Sequence, residues 1–376
     1  MNVDGLGQIP QPTLCALARG QCNLSRLMHL VENPDFLHLP AALQALFTRA
    51  AERSFFALPL WYHVLARHGT DKAIMPRLYV DNRDSPAVAL VCGQHDGAKQ
   101  LISLSAYYST EYGPIYGSGE QRLGSALEAV AAALLRERPN WHALQLAGLD
   151  PTDPAYDMLG AAFRKEGWAV FPYFDSGTWY DDTGGLDFAR YLADRPATLR
   201  NTYRRRAAKL DAEGKAIITF HENASTVGEA IADYDAVYRA SWKESEPFPD
   251  FTPALIRAAA DTGALRLGVL KIDGTPAAAQ LWLHWRGRTT IYKLAHDQRF
   301  DEYSVGTVLT MRMMERVLER DRPIEINFGR GDDAYKKLWL TKRRERWGLF
   351  MTNPRNLGGL ALTLREQLAI RLRRWR

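Results

Sequence analysis

Apolar residues recur at helical spacing in some stretches of the chain and cluster in short, strand-like runs in others. Within residues 41–68, Leu43, Leu46 and Phe47 share one helical face and predict a helix. The run Ser54–Tyr62 inside it is dense in aromatics. Strand-like runs follow at Arg77–Val80, Ala87–Gly93 and Leu101–Leu104. An Ala/Leu-rich stretch predicts a long helix over residues 122–138. A strand at Ala143–Ala147, a helix over residues 154–166 and a strand at Trp168–Phe174 end the first half.

The second half repeats this order. Arg200–Leu210 reads as a basic helix, Ala216–His221 as a strand, and Val227–Tyr238 and Pro253–Ala260 as helices. Leu265–Ile272 and Thr275–Trp285 flank Asp273-Gly274, a dipeptide suited to a tight hairpin turn. Arg286-Gly287-Arg288 leads into a third strand, Thr289–His296. A helix is expected from Val305 to Arg320, with Val305, Val308, Leu309, Met313 and Val317 on one face and Ser304 as its N-cap. A strand at Ile324–Phe328, a short helix at Asp333–Leu340 and a strand at Glu345–Thr352 complete it. The repetition concerns element order only, since no residue-level repeat accompanies it.

Composition narrows the class. With 376 residues, 46% apolar and 24% charged, the chain is long enough for two globular domains. No run of apolar residues reaches membrane-spanning length. The N-terminus has no basic region followed by an apolar core, and Cys15, Cys22 and Cys92 show no metal-ligand spacing, which together predict a cytoplasmic protein. The nine histidines are not clustered either, so no metal is expected. The net charge of +5 is matched by the last stretch alone, where Arg355–Arg376 holds six arginines and one glutamate. A general nucleic-acid surface is therefore not implied. Within that tail, Leu357, Leu360, Leu364, Leu368, Leu372 and Trp375 form one apolar helical stripe. It suits either docking on its own domain or peripheral attachment to an anionic inner membrane face.

Several clusters carry candidate chemistry. The helix start Ser304-Val305-Gly306-Thr307 offers unpaired amides and a positive dipole end for a phosphate. Alternation places Ile291, Lys293 and Ala295 on one strand face and Tyr292, Leu294 and His296 on the other. Lys293 needs a partner there, and an ion pair with Glu325 on the next strand would supply one. Asp297 at the strand end is suited to accept a proton from an attacking amine, or to be a turn residue. Trp242, Lys243, Glu244 and Glu246 combine an aromatic, a cation and two carboxylates, a set able to hold an amino substrate or supply a base. In Gly329-Arg330-Gly331-Asp332-Asp333-Ala334-Tyr335-Lys336, the glycines permit a tight turn and Asp332 is placed to cap the next helix. Arg200, Arg204, Arg205, Arg206 and Lys209 are a phosphate-binding or merely solvated helix face.

The element order of the second half, with Ser241-Trp242-Lys243-Glu244, Ile291–Asp297, Ser304-x-Gly306-Thr307 and Gly329–Lys336, resembles the GNAT acyltransferase fold. It is similar in particular to the CelD-like group associated with cellulose and exopolysaccharide synthesis, and distantly to the Fem aminoacyltransferases, which carry two GNAT-like halves. The resemblance covers residues 40–352. It implies an α+β protein of two GNAT-like lobes, each a mixed, mostly antiparallel sheet flanked by helices. The divisions would be an irregular lead-in (1–40), an N-terminal lobe (41–180), the catalytic lobe (181–352) and a basic tail helix (353–376). It further implies acyl transfer, acetyl from acetyl-CoA first, to an amine or hydroxyl of a small or sugar-linked acceptor.

By that resemblance Lys293, Leu294, Ala295, Ser304, Gly306 and Thr307 would hold the acyl-CoA. Lys336, Tyr335, Asp297 and Glu244 would serve catalysis, with Lys336 foremost. Trp242, Lys243, Glu246, Gln280, His296 and Asp332 would hold the acceptor. One departure stands out. The GNAT pyrophosphate loop runs Gln/Arg-x-x-Gly-x-Gly/Ala, and this chain has Asp301 and Ser304 at its first two key positions, keeping only Gly306. Two alternatives remain open: Fem-like aminoacyl transfer from charged tRNA, and a non-catalytic partner of a polysaccharide synthase.

Overall fold

The computed structural model describes residues 29–138 and 140–374. Cys15, Cys22, Trp375 and most of the expected lead-in lie outside them. The first half contributes β1 (His29–Glu32), α1 (Ala41–Ala51), α2 (Pro59–His68), β2 (Ile74–Val80), β3 (Ala89–His95) and β4 (Gln100–Ser103). It continues with α3 (Leu123–Arg136), β5 (Ala143–Leu149), α4 (Pro154–Lys165) and β6 (Ala169–Asp182). The second half adds α5 (Phe188–Ala193), α6 (Ala197–Glu213), β7 (Ala216–His221), α7 (Val227–Ala240) and α8 (Phe251–Asp261). Then come β8 (Leu265–Ile272), β9 (Thr275–Trp285), β10 (Arg288–His296), α9 (Val305–Arg316), β11 (Glu325–Asn327), β12 (Lys342–Thr352) and α10 (Leu357–Arg374).

The strands form one sheet in the order β1-β2-β3-β4-β5-β12-β6-β11-β10-β9-β8-β7. From either end, four antiparallel strands are followed by a fifth in parallel register, β4 with β5 and β10 with β11. The antiparallel pair β12–β6 then closes the centre. The halves exchange strands there: β12, last in the chain, lies between β5 and β6, while β6 lies against β11. A division at residue 180 in sequence is thus not a division in space. Gly348 of β12 permits this centre. The Tyr173 ring lies where a Cβ would stand, and its hydroxyl reaches across to β5, accepting from Gln145 at 3.0 Å and donating to the Leu146 carbonyl at 3.3 Å.

One core is shared by both halves. Trp61, Tyr62 and Leu65 of α2 pack with Phe251 and Leu255 of α8 and with Tyr234 of α7 over strands of both lobes. Two further cores cover α3 with α4 and α6 with α9.

The expected α+β class of two mixed, mostly antiparallel lobes is the architecture found. The structure departs locally from the expected elements. The helix over 41–68 is broken, because Ser54 caps a single turn at Phe55–Ala57 and Pro59 starts a new helix. The lead-in contains β1, paired with β2. The short helix at 333–340 is a 3₁₀ turn over Ala334–Leu338. Strand β6 extends to Asp182, because it is paired on both sides.

Candidate active site

Strand β10 follows β9 along its whole length but pairs with β11 only at Arg288, Thr289 and Thr290. Beyond Thr290 the two parallel strands part. Gly329 and Gly331, at φ 56° and 108°, turn the chain away after β11 in a conformation that favours glycine. A cleft of about 600 Å³ opens between Ile291–Leu294 on one side and Phe328, Tyr335 and Lys336 on the other. Tyr107, Tyr108 and Thr110 of the first half close it, so both lobes build the site.

A bulge between Ile291 and Lys293 breaks the alternation expected on β10. Ile291 and Leu294 face the core around α9, while Tyr292 and Ala295 face the shared core. The bulge turns Lys293 toward that same side, where its ammonium sits 4.6 Å from the Tyr108 ring centre and pairs with Glu246. The expected partner Glu325 is instead bound by Arg344 and bonded to Asn327. Glu246 also accepts from Tyr108 at 3.1 Å and Thr252 at 2.9 Å. It is therefore the hub that ties the loop after α7 to β10 and to the first lobe. Burial pulls the Lys293 pKa down, and Glu246 opposes that pull.

Lys243 stands nearby, and no ion pair among the described residues engages it. Its ammonium lies 5.9 Å from the Tyr238 ring and 5.7 Å from that of Trp242. Burial, reinforced by the charge of Lys293, lowers its pKa to about 8. Tyr335 rests edge-on against Phe328, and desolvation raises its hydroxyl to about 12, so it remains a proton donor at neutral pH. These two groups line one cleft with opposite proton preferences.

Lys336 is placed differently from its expected role. Its three N–H bonds go to the carbonyls of Arg330 at 3.0 Å and Gly331 at 3.1 Å and to Asp333 at 2.9 Å. It is buried and clamps the glycine loop. Asp297 is likewise committed. It caps the 3₁₀ turn Gln298–Tyr303 and is paired with Arg299, which holds its carboxyl below the usual range, the opposite of what a base requires. Asp332 is bound by Arg343 at 2.8 Å and caps no helix. Glu244 is exposed outside the cleft, with only its carbonyl engaged, by the Tyr238 hydroxyl at 3.1 Å. Gln280 is buried, donating to the Gly306 carbonyl at 3.1 Å and to Thr310 at 2.7 Å, which seats α9 on β9.

The start of α9 adjoins the end of β10. Ser304 has φ 49° and ψ 46°, a left-handed backbone rather than the extended one of a capping residue, and makes no side-chain cap. The amides of Val305, Gly306 and Thr307 therefore have no partner within the helix. A Cβ on Gly306 would stand 3.2 Å from His296, whose ring lies 4.5 Å from that of Trp242. Asp301 bonds His296 at 3.0 Å. Helix α6 runs beside this end, tied by Lys209 to Glu302 at 2.8 Å, with Arg204 and Arg205 exposed.

The equivalent place in the first lobe, past β4 and β5, is a pocket of about 110 Å³. Arg346 pairs there with Glu111 at 2.7 Å and Asp150 at 2.5 Å, and Arg53 with Asp153 at 3.0 Å. Ion pairs occupy the room that stays open in the second lobe. Sequence reading overlooked Tyr107, Tyr108, Thr110 and Tyr238. The one available signal was the Tyr107-Tyr108 doublet just past β4. Among the described residues, no three His, Cys, Asp or Glu side chains gather to hold a metal.

Residues 197–337 match the family model described as an acetyltransferase (GNAT) domain, a span that contains the start of α9 and the cleft's second-half wall but not Tyr107, Tyr108 and Thr110. Solved structures of similar fold include FemX, at 10% identity, covering 86% of this chain and 96% of that one with a TM-score of 0.60. A tandem GNAT protein from the clavulanic acid biosynthesis pathway aligns at 16% identity over 86% of this chain and 98% of its own, with a TM-score of 0.50. A conserved protein of unknown function from Bacteroides thetaiotaomicron aligns at 11% identity over 86% and 100%, with a TM-score of 0.53. No curated protein matches the sequence. The architecture is thus tandem GNAT-like, and its second half matches a GNAT-type acetyltransferase domain.

Proposed function

We propose that the second lobe transfers an acyl group, acetyl first among them, from a coenzyme A thioester to an amine or hydroxyl of a small or sugar-linked acceptor. The observation that carries this reading is the parting of β10 from β11, which leaves the Ile291–His296 strand edge open and leading to the bare amides of α9. Strand amides suit an extended amide-bearing arm, and helix amides suit its phosphates. The residues fit such a tail in part. Gly306 leaves room and α6 brings arginines alongside, whereas the Asp301 carboxylate is held back by His296.

Transfer within a ternary complex needs no covalent enzyme intermediate. Lys243, with a pKa of about 8, is about one-tenth neutral at pH 7 and increasingly so above it, and is suited to take the acceptor proton. Tyr335 is suited to return a proton to the leaving thiolate. The Ile291–Leu294 amides would stabilise the developing oxyanion. Lys336 supports this indirectly, by fixing the loop that carries Tyr335.

The test is calorimetric titration of acetyl-CoA into the wild type and Gly306→Trp, whose side chain would fill the space beside His296. Micromolar binding lost in the variant, with an unchanged far-ultraviolet circular dichroism spectrum, supports the reading. A wild type that binds no acyl-CoA overturns it. One observation favours a second reading, aminoacyl transfer from tRNA: Arg204 and Arg205 are exposed on α6, the helix that Lys209 ties to Glu302 just before α9. Salt-dependent retardation of tRNA, lost on replacing Arg204 and Arg205 by Gln, would support that instead.

A further inference from the structure

Helix α10 presents its leucines to solvent and its small residues to the protein. Its first turns dock closely on the first lobe. Any Cβ on Gly358 would meet the His142 ring, and one on Gly359 would meet the Asn353 carbonyl. Thr363 is buried and shares a hydroxyl contact of 2.6 Å with Thr352 of β12. Asn356 donates to the Trp141 carbonyl at 2.9 Å. At helical spacing, Leu357, Leu360, Leu364, Leu368 and Leu372 fall within an arc of about 120° turned away from Gly359 and Thr363. All five are exposed, from 39% at Leu360 to 87% at Leu357. Own-domain docking, one of the two expectations for this stripe, thus engages the opposite face and leaves the leucines uncovered.

The surrounding charge selects what covers them. Residues 355–376 contain six arginines and one glutamate, and Glu366 is paired with Arg365 at 2.8 Å. At helical spacing Arg365 borders the stripe and Arg371 falls within its arc, so their stems can lie along apolar surface with the guanidinium groups in a headgroup layer, whereas Arg373 falls on the opposite side. A second copy laid stripe against stripe would bring these arginines toward one another. An anionic lipid surface complements both the apolar arc and the charge. No described helix is long and apolar enough to cross a membrane, so the association would lie in the interface plane.

We propose that α10 binds the surface of anionic phospholipid bilayers through this leucine stripe and its flanking arginines. The orientation has a consequence for the cleft. Strands β12 and β11 both run antiparallel to β6, so they are parallel to each other. The end of β12 that leads into α10 therefore points the same way as the end of β11 that opens the cleft. Binding would turn that end of the sheet toward the bilayer. The inference does not depend on which group the cleft transfers.

The experiment is co-sedimentation of the full chain with phosphatidylglycerol-rich vesicles and with pure phosphatidylcholine vesicles, alongside size-exclusion chromatography. Binding is expected to the anionic vesicles only and to weaken with salt. Leu364→Ser/Leu368→Ser should lower it by about a hundredfold, since two interfacial leucines are lost. Arg365→Gln/Arg371→Gln should lower it roughly fivefold for each charge. All four positions are solvent-facing, so unchanged thermal melting is expected and separates lost binding from lost folding. Failure of the wild type to sediment with anionic vesicles, or sedimentation that the leucine variant retains, overturns the proposal. So does a dimer in solution that the leucine variant dissociates, which would make a second copy the occupant.

Discussion

Replacing Glu246 by Gln should destabilise the protein through the lysine it leaves behind. The side chains of Lys293 and Glu246 keep only 11% and 7% of their exposure. Glu246→Gln retains an acceptor for the Tyr108 or Thr252 hydroxyl but removes the counter-charge. Stranding a buried ammonium in this way costs about 3–5 kcal/mol. Lys293→Met strands the carboxylate instead, with two hydroxyl donors still on it, and should cost about 3 kcal/mol. The double variant buries no charge. Its loss should fall short of the sum of the single losses by about 2 kcal/mol or more. The pH dependence has a definite sign. Burial already depresses the Lys293 pKa in the folded state, and losing Glu246 depresses it further. The unfolded chain then binds the extra proton, so the deficit of Glu246→Gln shrinks as pH rises toward the ordinary lysine value of about 10.4. Urea denaturation of the four proteins at neutral pH, and of the wild type and Glu246→Gln at raised pH, measures both effects. Additive losses, with coupling under about 0.5 kcal/mol, would refute the argument that this pair is an interdependent buried hub.

Four further expectations follow from the same geometry. If Lys243 is the base, turnover should rise as pH passes through about 8 and then level, and Lys243→Met should lose that limb; a wild-type profile flat across this range counts against it. Wild-type stability relative to Lys243→Met should also rise from about pH 8 upward, because a depressed folded pKa means the unfolded state holds the proton longer. Gly348→Ala should cost about 3 kcal/mol in urea denaturation, because its methyl meets the Tyr173 ring that Gln145 and the Leu146 carbonyl hold in place, whereas Gly268→Ala meets the flexible end of Met313 and should cost less. Lys336→Met should cost about 2 kcal/mol and expose the Gly329–Asp333 loop to proteolysis, an outcome that a purely catalytic lysine would not produce.

What the sequence disclosed and what it hid divide by the range of the interactions involved. The meander was legible because Asp273-Gly274 and Arg286-Gly287 are local turn instructions, and both dipeptides adopt the positive φ pairs that such turns require. The buried face of α9 was legible because helical spacing is local as well. The exchange of β6 and β12 was not, since it rests on pairing across more than 160 residues, and strand periodicity names no partner. The same limit explains the site. A strand–turn–helix pattern marked the cleft's two edges at Ile291–His296 and Gly329–Lys336, but not the wall that the first lobe supplies through Tyr107, Tyr108 and Thr110. Nor does residue type disclose allegiance. Lys336 and Asp297 look catalytic by chemistry, yet carbonyls within six residues of Lys336 and a guanidinium two residues from Asp297 engage them. Lys243 reads in sequence as a binding residue, and only the burial and neighbouring charge that the fold brings to it lower its pKa. In the first lobe, Arg346 arrives on the exchanged strand β12 and fills the equivalent pocket with ion pairs. The strand exchange that joins the two lobes thus also distinguishes them, leaving a cleft of about 600 Å³ in one and an ion-paired pocket of about 110 Å³ in the other.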